Sequence, residues 1–214
     1  MQNKINNIFQ ALENTFPNGG DGAELQYSNP YQLLVATMLS AQATDKGVNK
    51  ATKELFEIVK TPEEMLKLGE EKLKTYIKSI NYFNNKAKYI MQTSKQLVDN
   101  FNSTVPDTME ELTSLAGVGR KTASCVLIYA FKKKAVAVDT HVFRVSNRLG
   151  IVNEKDVLST EKRLLKIVPD KYILQVNRNL VYLGRYICKA KNPDCNNCPL
   201  TKYCNYFKQN NKTK

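Results

Sequence analysis

Apolar residues recur every three or four positions along almost the whole chain, a spacing that places them on one face of an α-helix. The first stripe consists of Ile5, Ile8, Phe9, Leu12 and Phe16. It stops at residues 17–20, whose proline and glycines predict a loop. Comparable stripes predict further helices that cover or begin at residues 30–39, 44–58, 61–64, 87–101, 107–115, 120–131, 142–150, 157–168 and 172–187.

Local signals mark where several of these helices begin. Asn29 is followed by a proline, which gives a helix cap and then a first-turn residue with a preset backbone. Residues 61–64 have the pattern of a capping box, in which two side chains bond each other's backbone. The single strand-like run, 134–138, is isolated and lacks a pairing partner, so we predict an extended connector. The pattern predicts an all-α fold that ends in a frayed polar tail at 210–214.

Charge and composition restrict the class of protein. The chain has 214 residues and 42% hydrophobic content, enough to bury a core. Lysine and arginine number 32 against 20 acidic residues, a net charge of +12, which favours a polyanionic partner such as nucleic acid or an acidic membrane surface. Because only six of the 32 are arginines, the excess charge has a second explanation: a proteome that is rich in lysine, with no binding surface behind the charge. Without a long apolar run or a secretory leader pattern, we expect a soluble intracellular protein.

Cysteines are concentrated near the C-terminal end. Cys125 stands alone, whereas Cys188, Cys195, Cys198 and Cys204 lie within 17 residues of one another. In a reducing compartment such crowding favours metal ligation over disulfides. Four thiolates hold either a single zinc ion or a 4Fe-4S cluster, and the spacing contains only one C-x-x-C pair, so it leaves both open.

A glycine-containing turn separates the helices predicted at 107–115 and 120–131. Gly117 and Gly119 lack side chains, so backbone N–H groups could approach a phosphate oxygen at the start of the second helix. An ordinary interhelical turn has the same pattern. Arg120 and Lys121 follow at once, and a neutral lysine amine is a nucleophile that can form a Schiff base, although most helix lysines are simply solvated.

Two polar residues come directly after the extended connector. Asp139 precedes the helix predicted at 142–150 and is expected to cap it, a role compatible with a catalytic one. His141 is the only histidine. A histidine-rich metal site is therefore excluded, and a Ser-His-Asp triad would have to pass through this one residue.

These segments together resemble the endonuclease III family. The matching motifs are LSAQATD at 39–45, VNKAT at 48–52, LAGVGRKTA at 115–123, VDTHVFRV at 138–145 and the four-cysteine loop at 188–204. The resemblance implies a helix-hairpin-helix DNA glycosylase fold of two helical lobes. One would be a six-helix barrel domain over 23–134; the other would combine 1–22 and 135–214 and carry the cluster loop.

The resemblance also implies a reaction. A damaged nucleotide would be flipped out of duplex DNA, because its glycosidic bond cannot be reached inside the stack. Lys121 would attack the sugar C1′ and expel an oxidised pyrimidine, Asp139 would assist, and the Schiff base would allow β-elimination at the abasic site. Gln42 would fill the gap left by the flipped nucleotide, and Tyr82 stands where the family commonly has a leucine wedge. The remaining implied DNA contacts are Gly117, Gly119, Arg120, His141, Lys189 and Lys191.

The cofactor implied by the resemblance is a 4Fe-4S cluster held by the four clustered cysteines. The implied partner is double-stranded DNA that contains oxidised pyrimidines or abasic sites. A monomer without membrane contact, located in the cytoplasm of a bacterium-like cell and associated with the nucleoid, is expected.

Three departures from the family pattern bear on lesion preference and affinity. Ala116 stands in place of the usual hairpin proline, Asn81 and Tyr82 change the wedge, and Asp194 adds an acid to the cluster loop. A related monofunctional adenine glycosylase is the first alternative; it lacks the hairpin lysine, so Lys121 opposes it. A non-enzymatic DNA-binding module is the second, and it predicts salt-sensitive binding without strand cleavage.

Overall fold

The structure is a computed structural model that describes residues 2–17 and 24–211. Over those residues the chain is helical and contains no strand. Most of the loop predicted at 17–20, and the last three residues of the predicted frayed tail, lie outside the described residues. The helices are α1 (Gln2–Thr15), α2 (Pro30–Leu39), α3 (Asp45–Thr52), α4 (Leu55–Ile58), α5 (Pro62–Leu68), α6 (Glu70–Ile77), α7 (Phe83–Asn100), α8 (Met109–Ser114), α9 (Arg120–Tyr129), α10 (Thr140–Leu149), α11 (Val157–Ile167), α12 (Asp170–Ile173), α13 (Val176–Tyr182) and α14 (Asn205–Asn211).

The protein divides into two compact units. The continuous unit comprises residues 23–132, and the terminal unit combines 1–22 with 133–214. The all-α prediction is confirmed. No helix within the described ranges has both the length and the apolar character needed to cross a bilayer.

Helix α2 forms the centre of the continuous unit. Its residues 31–39 are all buried, as expected for a helix that other helices surround on every side. The predicted cap is present, since the Asn29 side chain accepts a hydrogen bond from the Gln32 N–H. The capping box that begins α5 is also present. Both hydrogen-bond patterns predicted from the sequence at these helix starts are therefore confirmed.

One helix predicted in the continuous unit is divided in two. The pattern over 44–58 predicts a single helix, but the chain turns between α3 and α4. The Thr52 hydroxyl donates to the Val48 carbonyl one turn earlier, and such back-bonding to the helix backbone is associated with bends. The prediction of one uninterrupted helix was wrong.

The terminal unit packs α1 against residues from the far end of the chain. Ile5, Ile8 and Phe9 are fully buried in a core that α10, α11 and α13 complete. The Phe9 ring stacks on Tyr172 with centroids 5.5 Å apart. The apolar stripe of α1 is thereby explained by burial against sequence-distant helices.

The last long helix predicted, over 172–187, is interrupted twice. A turn separates α12 from α13, and residues Leu183–Ile187 form a π-helical segment. Arg144 donates to the Gly184 carbonyl at 3.0 Å and to the Cys188 carbonyl at 3.1 Å. Arg144 thus bonds one carbonyl group within the π-helical segment and one directly after it, and a side chain inserted at a helix backbone is a known setting for irregular winding.

The extended connector at 134–138 carries the chain from the continuous unit to α10. Ala137 lies in its middle, fully buried. The Asn177 side chain accepts from the Ala137 N–H at 2.8 Å and donates to the Ala137 carbonyl. A side-chain amide thus supplies the backbone partners that a neighbouring strand would otherwise provide.

Candidate functional site

The turn between α8 and α9 is a tight turn closed by a bond from the Val118 N–H to the Leu115 carbonyl at 3.1 Å. Gly117 has a φ of +71°, in the left-handed region. A Cβ at Gly117 would lie 2.8 Å from both Cβ and Cγ of Tyr89, so packing as well as conformation requires glycine there.

Gly119 has a different environment. It is the N-cap residue of α9, no side chain caps the helix there, and a Cβ at Gly119 would have no heavy atom within 4 Å. Gly117, Gly119, Arg120 and Lys121 are all exposed. The start of α9 therefore presents backbone amides and two basic residues to solvent. This is the arrangement with which a helix N-terminus binds a phosphate group.

Gln42 and the segment before α7 lie together in the continuous unit. Asn81 donates from its side-chain amide to the Gln42 carbonyl at 3.1 Å. Gln42 has a φ of +55° and Tyr82 a φ of +60°, so both occupy the left-handed region that non-glycine residues seldom adopt. The Tyr82 side chain is 65% exposed. An exposed aromatic in a costly backbone conformation is typical of a functional position rather than a packing one.

Lys86 holds the backbone from which Gln42 projects. Its ammonium group donates to the Leu39 carbonyl at 2.8 Å and to the Ala41 carbonyl at 2.6 Å. The residue is 9% exposed, and burial lowers the pKa of its amine. A buried lysine that bonds the last carbonyl group of α2 and one carbonyl group just after it stabilises both the end of that helix and the segment that follows.

Asp139 caps α10 in the terminal unit, as predicted. Its Oδ1 atom accepts from the N–H groups of His141 at 2.9 Å and Val142 at 2.8 Å. The residue is half-buried. Because both cap bonds use Oδ1, the Oδ2 atom is the oxygen that the cap does not employ.

His141 lies against the π-helical segment. Its Nδ1 atom is 3.2 Å from Nη2 of Arg144, and because arginine only donates, Nδ1 acts as the acceptor. A Cβ at Gly184 would lie 2.9 Å from the Cβ and Nδ1 of His141. The close approach of the two elements therefore depends on glycine at this position.

The four clustered cysteines line one small cavity in the terminal unit. Its other walls include Leu149, Leu183 and Ile187. The cysteines are free thiols, and burial together with neighbouring sulfurs raises the pKa of Cys195 and Cys198. Among the described residues no three potential ligand side chains converge in a metal-binding arrangement.

The composition of this cavity nevertheless suits a sulfur-ligated group. Its thiols are soft donors, its walls are largely apolar, and two groups donate toward sulfur: Nη1 of Arg148 lies 3.6 Å from Sγ of Cys188, and the Phe207 N–H lies 3.5 Å from Sγ of Cys204. Hydrogen bonds to sulfur and a nonpolar surround are the features that tune iron-sulfur sites. The residues present thus fit such a group.

Arg148 also shapes the loop that carries the predicted lysine contacts. It donates to the Lys189 carbonyl at 2.7 Å and to the Ala190 carbonyl at 3.0 Å, and its guanidinium lies 4.5 Å from the centre of the Tyr206 ring. Lys189 and Lys191 are exposed. Arg148 therefore fixes the backbone of the loop, while the two lysines of the loop face solvent.

Comparison with known proteins gives consistent matches over most of the chain. The family model described as HhH-GPD superfamily base excision DNA repair protein matches residues 35–170. An endonuclease III of Rickettsia felis is 49% identical over 203 residues, 95% of this chain and 94% of that protein. An endonuclease III of Haemophilus influenzae is 50% identical and covers 86% of this chain and 87% of its own length. The chain belongs to the endonuclease III family.

A solved structure agrees with that assignment. A trapped endonuclease III–DNA covalent intermediate superposes with a TM-score of 0.88 at 41% identity and covers 98% of both chains. Endonuclease III enzymes are DNA glycosylases with AP lyase activity, so the chain is a base-excision-repair enzyme of that kind. The expectation drawn from the resemblance is confirmed at the level of family, fold and reaction class.

Four side chains each bond the backbone of a segment that carries predicted site residues: Lys86, Asn81, Arg144 and Arg148. Sequence reasoning singled out Asn81, as a departure from the family pattern, but missed the other three. Two of them gave a signal: Arg144 and Arg148 are two of only six arginines and lie one turn apart on α10. The position of Lys86 had no signal, because periodicity does not identify a lysine that bonds carbonyl groups.

Proposed function

We propose that this protein removes oxidised pyrimidines from double-stranded DNA and cleaves the resulting abasic site through a Schiff base at Lys121. The observation that carries the proposal is the position of Lys121 in the first turn of α9, directly after a glycine turn with exposed amides. Phosphate binding at that turn would bring the sugar of a flipped nucleotide toward the lysine.

The proposed reaction uses two residues of this chain. The Lys121 amine attacks C1′, the glycosidic bond breaks, and the base leaves with the bonding electrons. Ring opening of the sugar then gives an imine, and loss of a C2′ proton expels the 3′ phosphate by β-elimination. Asp139 accepts the amine proton or stabilises positive charge developing on the sugar, and Oδ2 is the atom suited to this because Oδ1 is used by the cap.

DNA would be held by two kinds of contact. Backbone amides of the turn and the basic side chains of α9 and the cysteine loop would bind phosphates, which gives affinity without sequence preference. Gln42 would occupy the space of the flipped nucleotide, and Tyr82 would enter the stack beside it. The proposed phosphate-facing residues are Gly117, Gly119, Arg120, His141, Lys189 and Lys191.

We further propose that Cys188, Cys195, Cys198 and Cys204 are the ligands of a 4Fe-4S cluster, the cofactor of the endonuclease III family. When bound, such a cluster would organise the loop at 188–204 by cross-linking its four thiolates. Purified protein is expected to be yellow-brown with about four iron atoms per chain. A colourless preparation that contains stoichiometric zinc would contradict this part of the proposal.

We also propose an assembly state and a location for this protein. We propose a monomer that acts at the bacterial nucleoid, in which the continuous unit is the barrel domain predicted at 23–134. The terminal unit is the second domain, predicted from 1–22 and 135–214. Sedimentation at micromolar concentration, with and without a short duplex, tests the monomer.

The direct test is trapping of the imine. Purified protein is mixed with duplex DNA containing an oxidised thymine, borohydride is added, and covalent adducts are separated on a denaturing gel. Wild type and Lys162→Ala, which removes an exposed lysine of α11, should give the adduct, whereas Lys121→Ala should not. Wild type that binds DNA but never traps would favour a monofunctional glycosylase or a binding module.

Asp139 is tested by a substitution that keeps its cap. Asparagine caps a helix about as well as aspartate, so Asp139→Asn should fold and bind DNA normally but lose most turnover. Wild-type turnover in this variant would reduce Asp139 to a structural role.

A further inference from the structure

The turn before α9 has the geometry of a type II turn. Leu115 occupies its first position and Val118 its last, joined by the closing bond, and Gly117 has the positive φ that the third position requires. Ala116 is therefore at the second position, where proline is the favoured residue because its ring presets φ. An alanine there retains a backbone N–H that proline lacks.

That N–H has a dedicated partner on α7. The Ala116 N–H donates to Oε1 of Gln96 at 2.7 Å, and Nε2 of the same side chain donates to the Ser114 carbonyl at 3.3 Å. Ser114 is the last residue of α8, so this carbonyl is one that the helix itself leaves without a bond. One side-chain amide thus bridges the end of α8 and the start of the turn.

A second residue of α7 fixes the next peptide. The Thr93 hydroxyl, which is 1% exposed, donates to the Ala116 carbonyl at 2.6 Å. In a trans peptide the N–H points opposite to the carbonyl, so the Gly117 N–H points away from Thr93. Helix α7 therefore orients the peptide groups on both sides of Ala116. The second of these contains the Gly117 N–H, so α7 sets the direction of one amide in the proposed phosphate-binding turn.

We propose that Gln96 is a positioning residue for the DNA-binding turn, and that it supplies through hydrogen bonds the rigidity that proline at position 116 would supply covalently. The inference rests on the proposed function, because it concerns how the turn is presented to DNA phosphates. Gln96 does not touch the reacting atoms.

The inference can be tested with substitutions at positions 96 and 116, because a hydrogen bond from the residue 116 N–H to Gln96 and a proline at position 116 cannot be present together. Proline at position 116 removes the N–H group that donates to Gln96, so the bond between Gln96 and the turn exists only while residue 116 has an N–H. The exposed bond from Gln96 to the Ser114 carbonyl, at 3.3 Å, is the longer of the two and does not involve residue 116. Leu115 has φ −73° and ψ 142°, the extended conformation that a residue before proline prefers, so the backbone accepts Ala116→Pro. The proline ring would occupy the place of Oε1 of Gln96, which lies 2.7 Å from the Ala116 nitrogen, so the half-exposed Gln96 side chain must turn away in that variant.

The experiment compares four proteins and one control: wild type, Gln96→Met, Ala116→Pro, the double variant, and Gln92→Met. Gln92 is exposed one turn earlier on α7 and provides the same side-chain change away from the turn. Dissociation constants are measured on duplex DNA containing a tetrahydrofuran abasic analogue, which cannot be cleaved. Single-turnover cleavage rates are measured at saturating protein on the duplex that contains an oxidised thymine, and melting temperatures are measured without DNA. Methionine keeps the size of glutamine and removes both hydrogen bonds.

Gln96→Met is expected to raise Kd about three- to tenfold, the range for a hydrogen bond lost at a partly buried backbone group. The saturated cleavage rate should stay within about twofold, since the lost interaction acts on binding of substrate and transition state alike. In the Ala116→Pro background the same substitution should change Kd by less than about twofold. Gln92→Met should match wild type.

Two results would overturn the inference: an unchanged Kd for Gln96→Met, whether or not its melting temperature falls, or an equal loss of affinity in both backgrounds. If Gln96→Met does not fold, the double variant decides, because the inference predicts that it folds and binds like Ala116→Pro. Wild type that fails to bind the duplex would overturn the proposed function itself, which separates the two failures.

Discussion

Gly117 offers a sharp test of the turn geometry. Substitution by alanine places a methyl group where φ is +71° and where Cβ and Cγ of Tyr89 are both 2.8 Å away. The contact with Tyr89 Cβ cannot be relieved by a rotamer change, since that atom is fixed to the backbone of α7. Either the turn or α7 must therefore shift.

The magnitude follows from two costs and one gain. The left-handed conformation costs an L-residue roughly 1–2 kcal/mol, and forced overpacking about 1–3 kcal/mol. Replacing glycine restricts the unfolded chain, which offsets about 0.4–1 kcal/mol. Gly117→Ala should lower the free energy of unfolding by about 1–4.6 kcal/mol, equivalent to a fall in melting temperature of roughly 2–18 °C for a chain of this size.

Gly119→Ala is the matched control in the same turn. Its methyl group meets no heavy atom within 4 Å and its φ is −86°, so the free energy of unfolding should change by less than about 1 kcal/mol. The methyl would instead stand where a phosphate approaches, and Kd for duplex DNA should rise about tenfold, or ~1.4 kcal/mol. Thermal melting and fluorescence anisotropy measure both effects. A Gly117→Ala protein that melts with wild type would refute the argument.

Three further outcomes are expected. Lys86→Met should lower the free energy of unfolding by about 1–3 kcal/mol in urea denaturation, because carbonyl groups at 39–41 lose a charged donor; an unchanged midpoint would contradict it. Tyr82→Gly should melt no lower than wild type yet bind flipped-base analogues roughly tenfold more weakly, since aromatic stacking on a base contributes about 1–3 kcal/mol, and unaltered binding would count against a wedge. Hydrogen bonds from Ser159 lower the pKa of Asp156. The stabilising effect of Asp156 is therefore present above the ordinary carboxyl pKa and is lost as pH falls through the folded-state value. The difference in melting temperature between wild type and Asp156→Ala should shrink below about pH 4, and a constant difference would contradict this.

Much of the fold could be predicted because its information is local. The caps at Asn29 and Asp139 and the capping box of α5 depend on residues three positions apart, and all three are present. The apolar stripe of α1 was visible for the same reason. The glycine turn followed by Lys121 was visible because its residue types are unusual in a helical chain.

What could not be predicted depends on partners distant in sequence. The π-helical segment after α13 receives a hydrogen bond at Gly184 from Arg144, which lies forty residues earlier. The link between Gln42 and Asn81 spans 39 residues, and that between Gln96 and Ala116 spans 20. Periodicity indicates which face of a helix is buried, but it does not specify which polar side chain bonds which carbonyl.

The discontinuous terminal unit constrains the order of folding during synthesis. Helix α1 is made first, but Tyr172, on which Phe9 of that helix stacks, is made about 160 residues later. At a translation rate of 5–20 residues per second, that delay is roughly 8–32 seconds. The continuous unit meets no such delay, because its segments are consecutive. We therefore expect nascent chains whose residue 135 has just left the ribosome to contain a protease-resistant continuous unit and an N-terminal helix that is still cleavable and open to chaperones.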